Sequence, residues 1–478
     1  MSRIVFPVFQ RFVQSQSPLV SQGRRQQPCL LSVDFLNGIT GCECKVRLRH
    51  LKRHFSIFER LNIPGPKPSI LVGNLREIMK KGQFHATVEW SQKYGRVFGF
   101  FEGYTPVLSI SDPDILSQIL GKDASNFMSR KPFPLAPRKS LGLFLENGHQ
   151  WRRSRSLLTP AFSSGKLKQM MNIMTTSADM LVENLSSRCR GREGTVDMYS
   201  AFQSLSLDVI GRCAFGLQTR AQTDPNDEFL ITINSCQKVL DNTGMSIHEG
   251  SVSFSTTVAV PFLSTFIFAL KNMVVFFGMN PVVWLRLRLR EVIRIRKEMG
   301  PNNRITDLVQ LMLFPPTHRS HVEGTGDEDA SHEDKLHAKM TEREVVAQSL
   351  TFLLAGYETT SAVLALLSHL LAHNPHVQAR LLQEIDSLPN KEVTYQTVQK
   401  MEYFDMVFDE ACRLFPTASL IVTRKADKAR EFKGFTIPAG MNIHANIWAL
   451  HHDPEFWNHP EDFDPERLSR FLSSLTAK

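Results

Sequence analysis

Apolar residues recur every three or four positions over most of the stretch from Asp114 to Leu313, the period of helices with one buried face. Before it the period drops to two. Arg96–Glu102 and Pro106–Ile110 alternate as strands, and the Glu-Gly-Tyr-Thr step joining them reads as a hairpin turn. A helix is expected over Glu77–Lys93, after the stiff Pro-Gly segment Leu61–Leu75 that marks where the folded body begins. Beyond Leu313 the pattern dissolves into Pro315–Lys339, polar, acidic and sprinkled with four histidines, an exposed loop. Thr341 and Glu344 then form a capping box, opening an apolar helix that runs to Asn374 before Pro375. At 1.5 Å per residue it spans about 45–50 Å, and so apolar a rod belongs at the centre of a domain. Further helices are expected at Val377–Ser387 and Tyr403–Leu414, and a hairpin over Phe432–Ile447 around Pro438-Ala439-Gly440. No internal repeat is visible. The fold class is mainly α with a minor β-sheet region.

The central helix breaks its own pattern. Gly356, Glu358, Thr359 and Thr360 sit where a core takes leucine. A glycine inside a helix costs about 1 kcal/mol relative to alanine, and a buried carboxylate costs more unless paired or protonated. Glycine admits a bulky group to the backbone, and a threonine hydroxyl bonding back to the preceding turn loosens the ladder, a feature of functional sites. An acid beside an alcohol suits the passage of protons to something bound against the helix. The alternative is a polar kink that serves packing alone.

Composition narrows the classes. The 478 residues are 42% hydrophobic and 22% charged, with length for a large core. Of the formal charge of +9, a surplus of seven lies in residues 1–60, where ten bases face Asp34, Glu43 and Glu59. The body is close to neutral, which argues against nucleic acid as a partner. The basic end suits a membrane surface or an import machinery. Residues 1–33, with Arg3, Arg11, Arg24, Arg25, five serines and no acid, have the composition of a mitochondrial presequence or of an irregular N-terminus. No run of 18 uninterrupted apolar residues occurs. The nearest, Val258–Leu285, is broken by Pro261, Lys271, Asn272, Gly278 and Pro281, and reads as two short core or interfacial helices. Seven cysteines in scattered positions show no zinc spacing and read as reduced thiols. The organisation is a basic segment and linker over 1–61 and one domain over 62–478.

Two further constellations carry chemistry. Glu410 and Arg413 share a helix face in an apolar setting, and Arg467 in Phe-Asp-Pro-Glu-Arg-Leu is a plausible third member. The spacing alone is weak, because Glu291 and Arg294 repeat it. Trp151 and Arg155 lie one turn apart, an indole N–H beside a guanidinium, suited to a carboxylate or else a stacked surface pair. Trp284 and Arg288 repeat that spacing.

Taken in order, "WRRSR", "AGYETT", "EACR" and "FDPERL" resemble the cytochrome P450 haem-thiolate monooxygenases, and "IPGPKP", "VAQSLTFLLAGYETTS" and "MEYFDMVFDEACRLFP" look most like the microsomal family-three and thromboxane-synthase branch. The likeness runs from about Asn62 to Leu468. It implies a haem against Ala355–Thr360, with Glu358 and Thr359 delivering protons and Gly356 making room for oxygen. It implies Trp151, Arg155, Arg130 and Arg424 as ligands of the haem propionates, and Glu410, Arg413 and Arg467 as a structural triad near the haem. It further implies electrons from NADPH through a flavoprotein reductase, a lipophilic substrate met by loops such as Phe127–Phe144 and Phe254–Phe277, and the endoplasmic reticulum membrane, the mitochondrion being the alternative. Some members isomerise a peroxide instead of using O₂.

Two departures stand out. The family holds its iron through a cysteine in a Phe-x-x-Gly-x-Arg-x-Cys-x-Gly loop, and no such loop occurs in these residues. The N-terminus carries a basic segment where microsomal members carry a spanning helix. The expectation is a P450-like fold without its C-terminal haem-ligand loop and last helix, from an incomplete or misassembled coding sequence. The rival is an inactive fragment or a lipid-binding protein.

Overall fold

Gly82 splits the first expected helix in two. Leu75–Lys81 (α1) ends at this glycine, whose φ of 78° is left-handed, and Gln83–Tyr94 (α2) starts from it. Strands β1 (Val97–Glu102) and β2 (Thr105–Ile110) pair antiparallel from Glu102↔Thr105 to Val97↔Ile110, and Gly103 at φ 62° makes the tight turn. This computed structural model describes residues 49–70, 72–131, 142–190, 195–242, 281–301, 307–315, 340–389, 393–419 and 422–467. The chain divides into Met1–Arg53, of which residues 49–53 are described as helical, and a unit from His54 onward. Residues 1–33, the stretch Phe254–Phe277, residues 132–141 of Phe127–Phe144, residues 258–280 of the apolar run and residues 316–339 of the expected loop lie outside the described residues.

Helices then dominate, as their periodicity expects: α3 (Gly148–Leu158), α4 (Ser164–Arg190), α5 (Met198–Phe215), α6 (Glu228–Asn242), α7 (Pro281–Met299) and α8 (Leu308–Leu313). The central helix, α9, covers Glu342–His373. Its capping box is complete: the Glu344 N–H donates to Thr341 Oγ1 at 3.3 Å and the Thr341 N–H to Glu344 Oε2 at 2.7 Å. Pro375 opens α10 (Pro375–Asp386), and α11 covers Glu402–Leu414.

Helix α9 lies along α5, with α7 and α11 against other parts of its length. Val345, Leu353 and Tyr357 join Leu207 and Phe215 of α5 and Leu285, Leu289 and Ile293 of α7 in one buried cluster. Each fully buried leucine or isoleucine there contributes about 1.5–3 kcal/mol. The Tyr357 hydroxyl donates to Asn234 Oδ1 of α6, satisfying the polar end of a fully buried ring. A second cluster, with Leu367, Leu370, Val377, Leu381 and Val407, binds the end of α9 to α10 and α11. Helix α9 is long and apolar enough to cross a membrane, yet its place among these partners explains the composition.

The last sheet strands correct one expectation. β3 (Thr423–Lys425), β4 (Arg430–Phe432), β5 (Phe435–Ile437) and β6 (Asn442–Ala445) do not form a hairpin around Pro438-Ala439-Gly440. The tight turn is Lys433-Gly434, between β4 and β5. Pro438–Gly440 instead carries the chain into another sheet of order β1-β2-β6-β3, where β6 runs parallel to β2 and antiparallel to β3. All four residues of β6 are buried there, a burial the short outer hairpin does not offer.

Candidate functional site

Arg130 and Arg424 come from positions almost 300 residues apart, and backbone geometry brings them together. The Lys425 N–H donates to Ser129 O at 2.7 Å, tying the residue before Arg130 to β3, which carries Arg424. The Arg130 N–H donates to Asn147 Oδ1 at 2.7 Å, fixing it to the start of α3. That start is in turn fastened to α9: Gln348 donates to Glu146 Oε1 at 3.1 Å and accepts from the Leu143 N–H at 2.7 Å. Arg153 pairs with Glu344 at 2.9 Å. These long-range clamps put the arginine corner and the long helix into one framework.

The corner is electropositive. Burial lowers the pKa of both guanidinium groups, and for Arg130 the neighbouring charge of Arg424 adds to it. Arg130 lies over the Phe144 ring at 4.8 Å. Arg424 donates to Thr423 O at 2.8 Å and makes no salt bridge with a described residue. Two partly desolvated cations side by side form a place for a carboxylate or phosphate. Trp151, half-buried, and Arg155, exposed, stand one turn apart on α3 with no hydrogen bond joining their side chains. Neither side chain donates a hydrogen bond to a described residue.

The polar patch of α9 divides by face. Ala355 is exposed and Thr359 half-buried on one side, with Thr359 Oγ1 donating to Ala355 O at 2.6 Å. The helix stays α throughout, so the expected widening of the ladder is absent at this turn: the hydroxyl adds to the carbonyl without displacing its backbone bond. Glu358 points the other way and is 4% exposed. Its Oε1 accepts from the Tyr199 hydroxyl of α5 at 2.5 Å, and Oε2 is buried without a partner among the described residues. Burial raises the pKa of this carboxyl, and the polar side chains of Tyr199 and Gln203 oppose that only in part. Gly356 faces α5. A Cβ there would sit 3.0 Å from Ile210 Cδ1 of α5, so the space the glycine leaves is occupied by helix packing. Ala355 is exposed and Gly356 half-buried.

Glu410, Arg413 and Arg467 meet. Arg413 grips the fully buried Glu410 through Nε–Oε2 at 2.8 Å and Nη2–Oε1 at 2.9 Å, and Arg467 Nε reaches Oε1 at 3.1 Å. The remaining donors go to carbonyls: Arg413 to His451 at 2.7 Å and Pro460 at 2.9 Å, Arg467 to His459 at 3.1 Å and Asp462 at 3.0 Å. The decoy pair behaves differently, since Glu291 is exposed and bonds Arg288 instead of Arg294.

Among the described cysteines, burial raises Cys213 to about 11 and Cys236 to about 12, Cys412 also shifts upward, and Cys189 is exposed. No cluster of three metal-ligating side chains occurs among the described residues. Tyr199, Asn147 and the Glu146–Gln348 pair escape sequence reasoning, because each matters through a partner far along the chain and none sits in a local motif.

Residues 63–473 match the family model described as Cytochrome P450. Cytochrome P450 3A5 of Homo sapiens is 36% identical over 431 residues, 88% of this chain and 80% of that protein. Cytochrome P450 3A6 of Oryctolagus cuniculus is 34% identical, covering 87% and 78%, and cytochrome P450 3A11 of Mus musculus is 33% identical, covering 88% and 79%. A mainly helical fold, a long central helix with an acid–alcohol pair and a match over most of its length together place this chain in the cytochrome P450 family of haem monooxygenases.

Proposed function

We propose that this chain inserts one oxygen atom of O₂ into a lipophilic substrate at the endoplasmic reticulum membrane, with electrons passed from NADPH by a flavoprotein reductase. The observation that carries the reading is the division of α9 into an open face, Ala355 and Thr359, and a buried carboxyl, Glu358, directly beside it. Haem, when bound, supplies the activation of O₂ and the transfer of its oxygen. The residues present offer donors for its carboxylates, whereas the cysteine by which the family holds the iron is not among the 478 residues of this sequence. Arg130 and Arg424 would hold its carboxylates, with the Trp151 indole and Arg155 as further donors. Glu358 would supply the proton from an apolar setting, and the Thr359 hydroxyl on the open face would pass it on. Glu410, Arg413 and Arg467 would brace the segment from Asn458 to Arg467 as a structural triad and touch no substrate. The domain runs over 62–478, a reading supported by the family match from residue 63, with 1–61 as the basic segment.

A second reading, lipid binding without turnover, is favoured by the described cysteines: burial pushes the thiols of Cys213, Cys236 and Cys412 up, away from the thiolate. Residues 468–478, which follow Arg467, contain no cysteine. One experiment separates the two. The full chain, with haem, reductase and NADPH, is given steroid and fatty-acid probes under isotopically labelled O₂. One labelled oxygen atom in the product supports monooxygenation; probe binding with neither label nor NADPH consumption supports the second reading. Recovery in microsomes on fractionation supports the membrane site, and recovery in mitochondria overturns it.

A further inference from the structure

The carboxyl of Glu358 is held from the side away from the open face. Tyr199 lies near the start of α5, whose N-cap Asp197 accepts from the Tyr199 N–H at 3.0 Å and the Ser200 N–H at 3.3 Å. This cap fixes the first turn of α5 against the middle of α9. From there the Tyr199 hydroxyl donates to Glu358 Oε1. Gln203, one turn further along α5, faces the same carboxyl. Oε2 is left buried and without a hydrogen-bond partner among the described residues. A carboxylate with one oxygen bare in such a setting costs far more than the neutral acid, whose unpaired hydroxyl carries only the smaller penalty of an unmade hydrogen bond. The donated bond to Oε1 also decides between the oxygens: Oε1 plays the carbonyl and Oε2 the hydroxyl.

We infer that Tyr199 is a positioning residue of the proton path, its hydroxyl orienting a neutral Glu358 so that Oε2 carries the proton to be given up. When the Oε2–H bond breaks, the proton passes around the helix through water to the reactant bound at the open face, which takes it up, and Glu358 becomes a carboxylate. The Tyr199 hydroxyl keeps its own proton and steadies the new charge through its bond to Oε1. A proton from bulk water then restores the acid, so no other reactant is needed. Tyr199 is half-buried, so the position joins the interior to the wet side of α5. This inference rests on the reading of Glu358 as proton donor.

The test uses the full chain with its haem. Infrared difference spectroscopy identifies the protonated Glu358 carbonyl band as the one lost in Glu358→Gln. Tyr199→Phe, which keeps the ring and removes the hydroxyl, is expected to move that band to higher frequency, because the carbonyl loses its donor. It is also expected to raise the NADPH consumed per product about tenfold, less than outright loss of a general acid. An unmoved band overturns the inference. So does wild-type coupling in Tyr199→Phe while Glu358→Gln uncouples, an outcome that leaves the proton role of Glu358 standing. Wild-type coupling in Glu358→Gln overturns the proton role itself, and the band shift still reports on the contact with Tyr199. Gln203→Leu retains the tyrosine contact and is expected to leave the band closer to its wild-type position.

Discussion

The Thr359 hydroxyl donates to the carbonyl oxygen of Ala355, 2.6 Å away, and both residues lie on the open face of α9. The bond parks the hydroxyl proton on the helix and leaves the oxygen's lone pairs turned to whatever binds there. Thr359→Ala removes this group without harming the helix, since alanine is the better helix former by several tenths of a kcal/mol. Stability is therefore expected to hold or rise slightly, while the ratio of NADPH consumed to product formed climbs. Thr359→Ser, which keeps the hydroxyl, is expected to stay near the parent. Equal coupling in all three proteins would remove Thr359 from the proton path.

The triad makes a prediction about stability alone. Glu410 is fully buried and Arg413 is 3% exposed, so removing the acid strands a cation in the interior. Glu410→Ala is expected to cost about 3–5 kcal/mol in chemical denaturation. Arg467→Ala is expected to cost about 1–2 kcal/mol, because Arg413 still satisfies both carboxylate oxygens. If the arginine change proved the more damaging, the centre of the network would lie at Arg467 and not at Glu410.

What could be read from the chain beforehand follows a physical divide. Thr341, Glu344 and Pro375 act on their own neighbours, so both ends of α9 were legible from local chemistry. Gly82 was not: helical periodicity continues across it, and only its φ of 78° reveals the break. The partner of β6 is β2, more than 300 residues earlier, and a segment flanked by a Pro-Ala-Gly step gives no hint of it. The site shows the same split. Glu358, Thr359, Glu410 and Arg413 stood out as polar residues at core positions, whereas Tyr199 reaches Glu358 across 159 residues. Gly356 was visible as an anomaly, and its occupant was not, because Ile210 sits on another helix.

Acid should loosen the sheet that carries Arg424. His444 on β6 is buried, and burial lowers its pKa from 6.5 to about 4, the Ser419 backbone opposing this only in part. The charge of Glu102 pulls it up and that of Lys131 pushes it down. His451 and His452, each lowered to about 4 mainly by burial, behave alike. A histidine whose folded pKa lies below its unfolded one contributes stability above pH 6.5 and loses it as pH falls toward 4. The melting temperature is expected to drop across that window, and less steeply in His444→Met. The same slope in both proteins would mean that His444 is not a source of the acid sensitivity.

Gly356 offers the sharpest contrast between the two roles a glycine can have here. In Gly356→Ala the new methyl gains about 1 kcal/mol of helix propensity but meets Ile210 Cδ1 at 3.0 Å, and overpacking of this sort costs about 1–3 kcal/mol. A net loss near 1 kcal/mol is expected. Ile210→Val deletes the clashing methyl and alone costs about 0.5–1.5 kcal/mol. If the glycine exists for helix packing, the double variant is more stable than the two single losses add up to, and haem retention stays at the parental level because the open face at Ala355 is untouched. Strict additivity would remove Ile210 as the reason for the glycine. Loss of haem from a Gly356→Ala protein of normal stability would return the residue to the role of admitting a bound group.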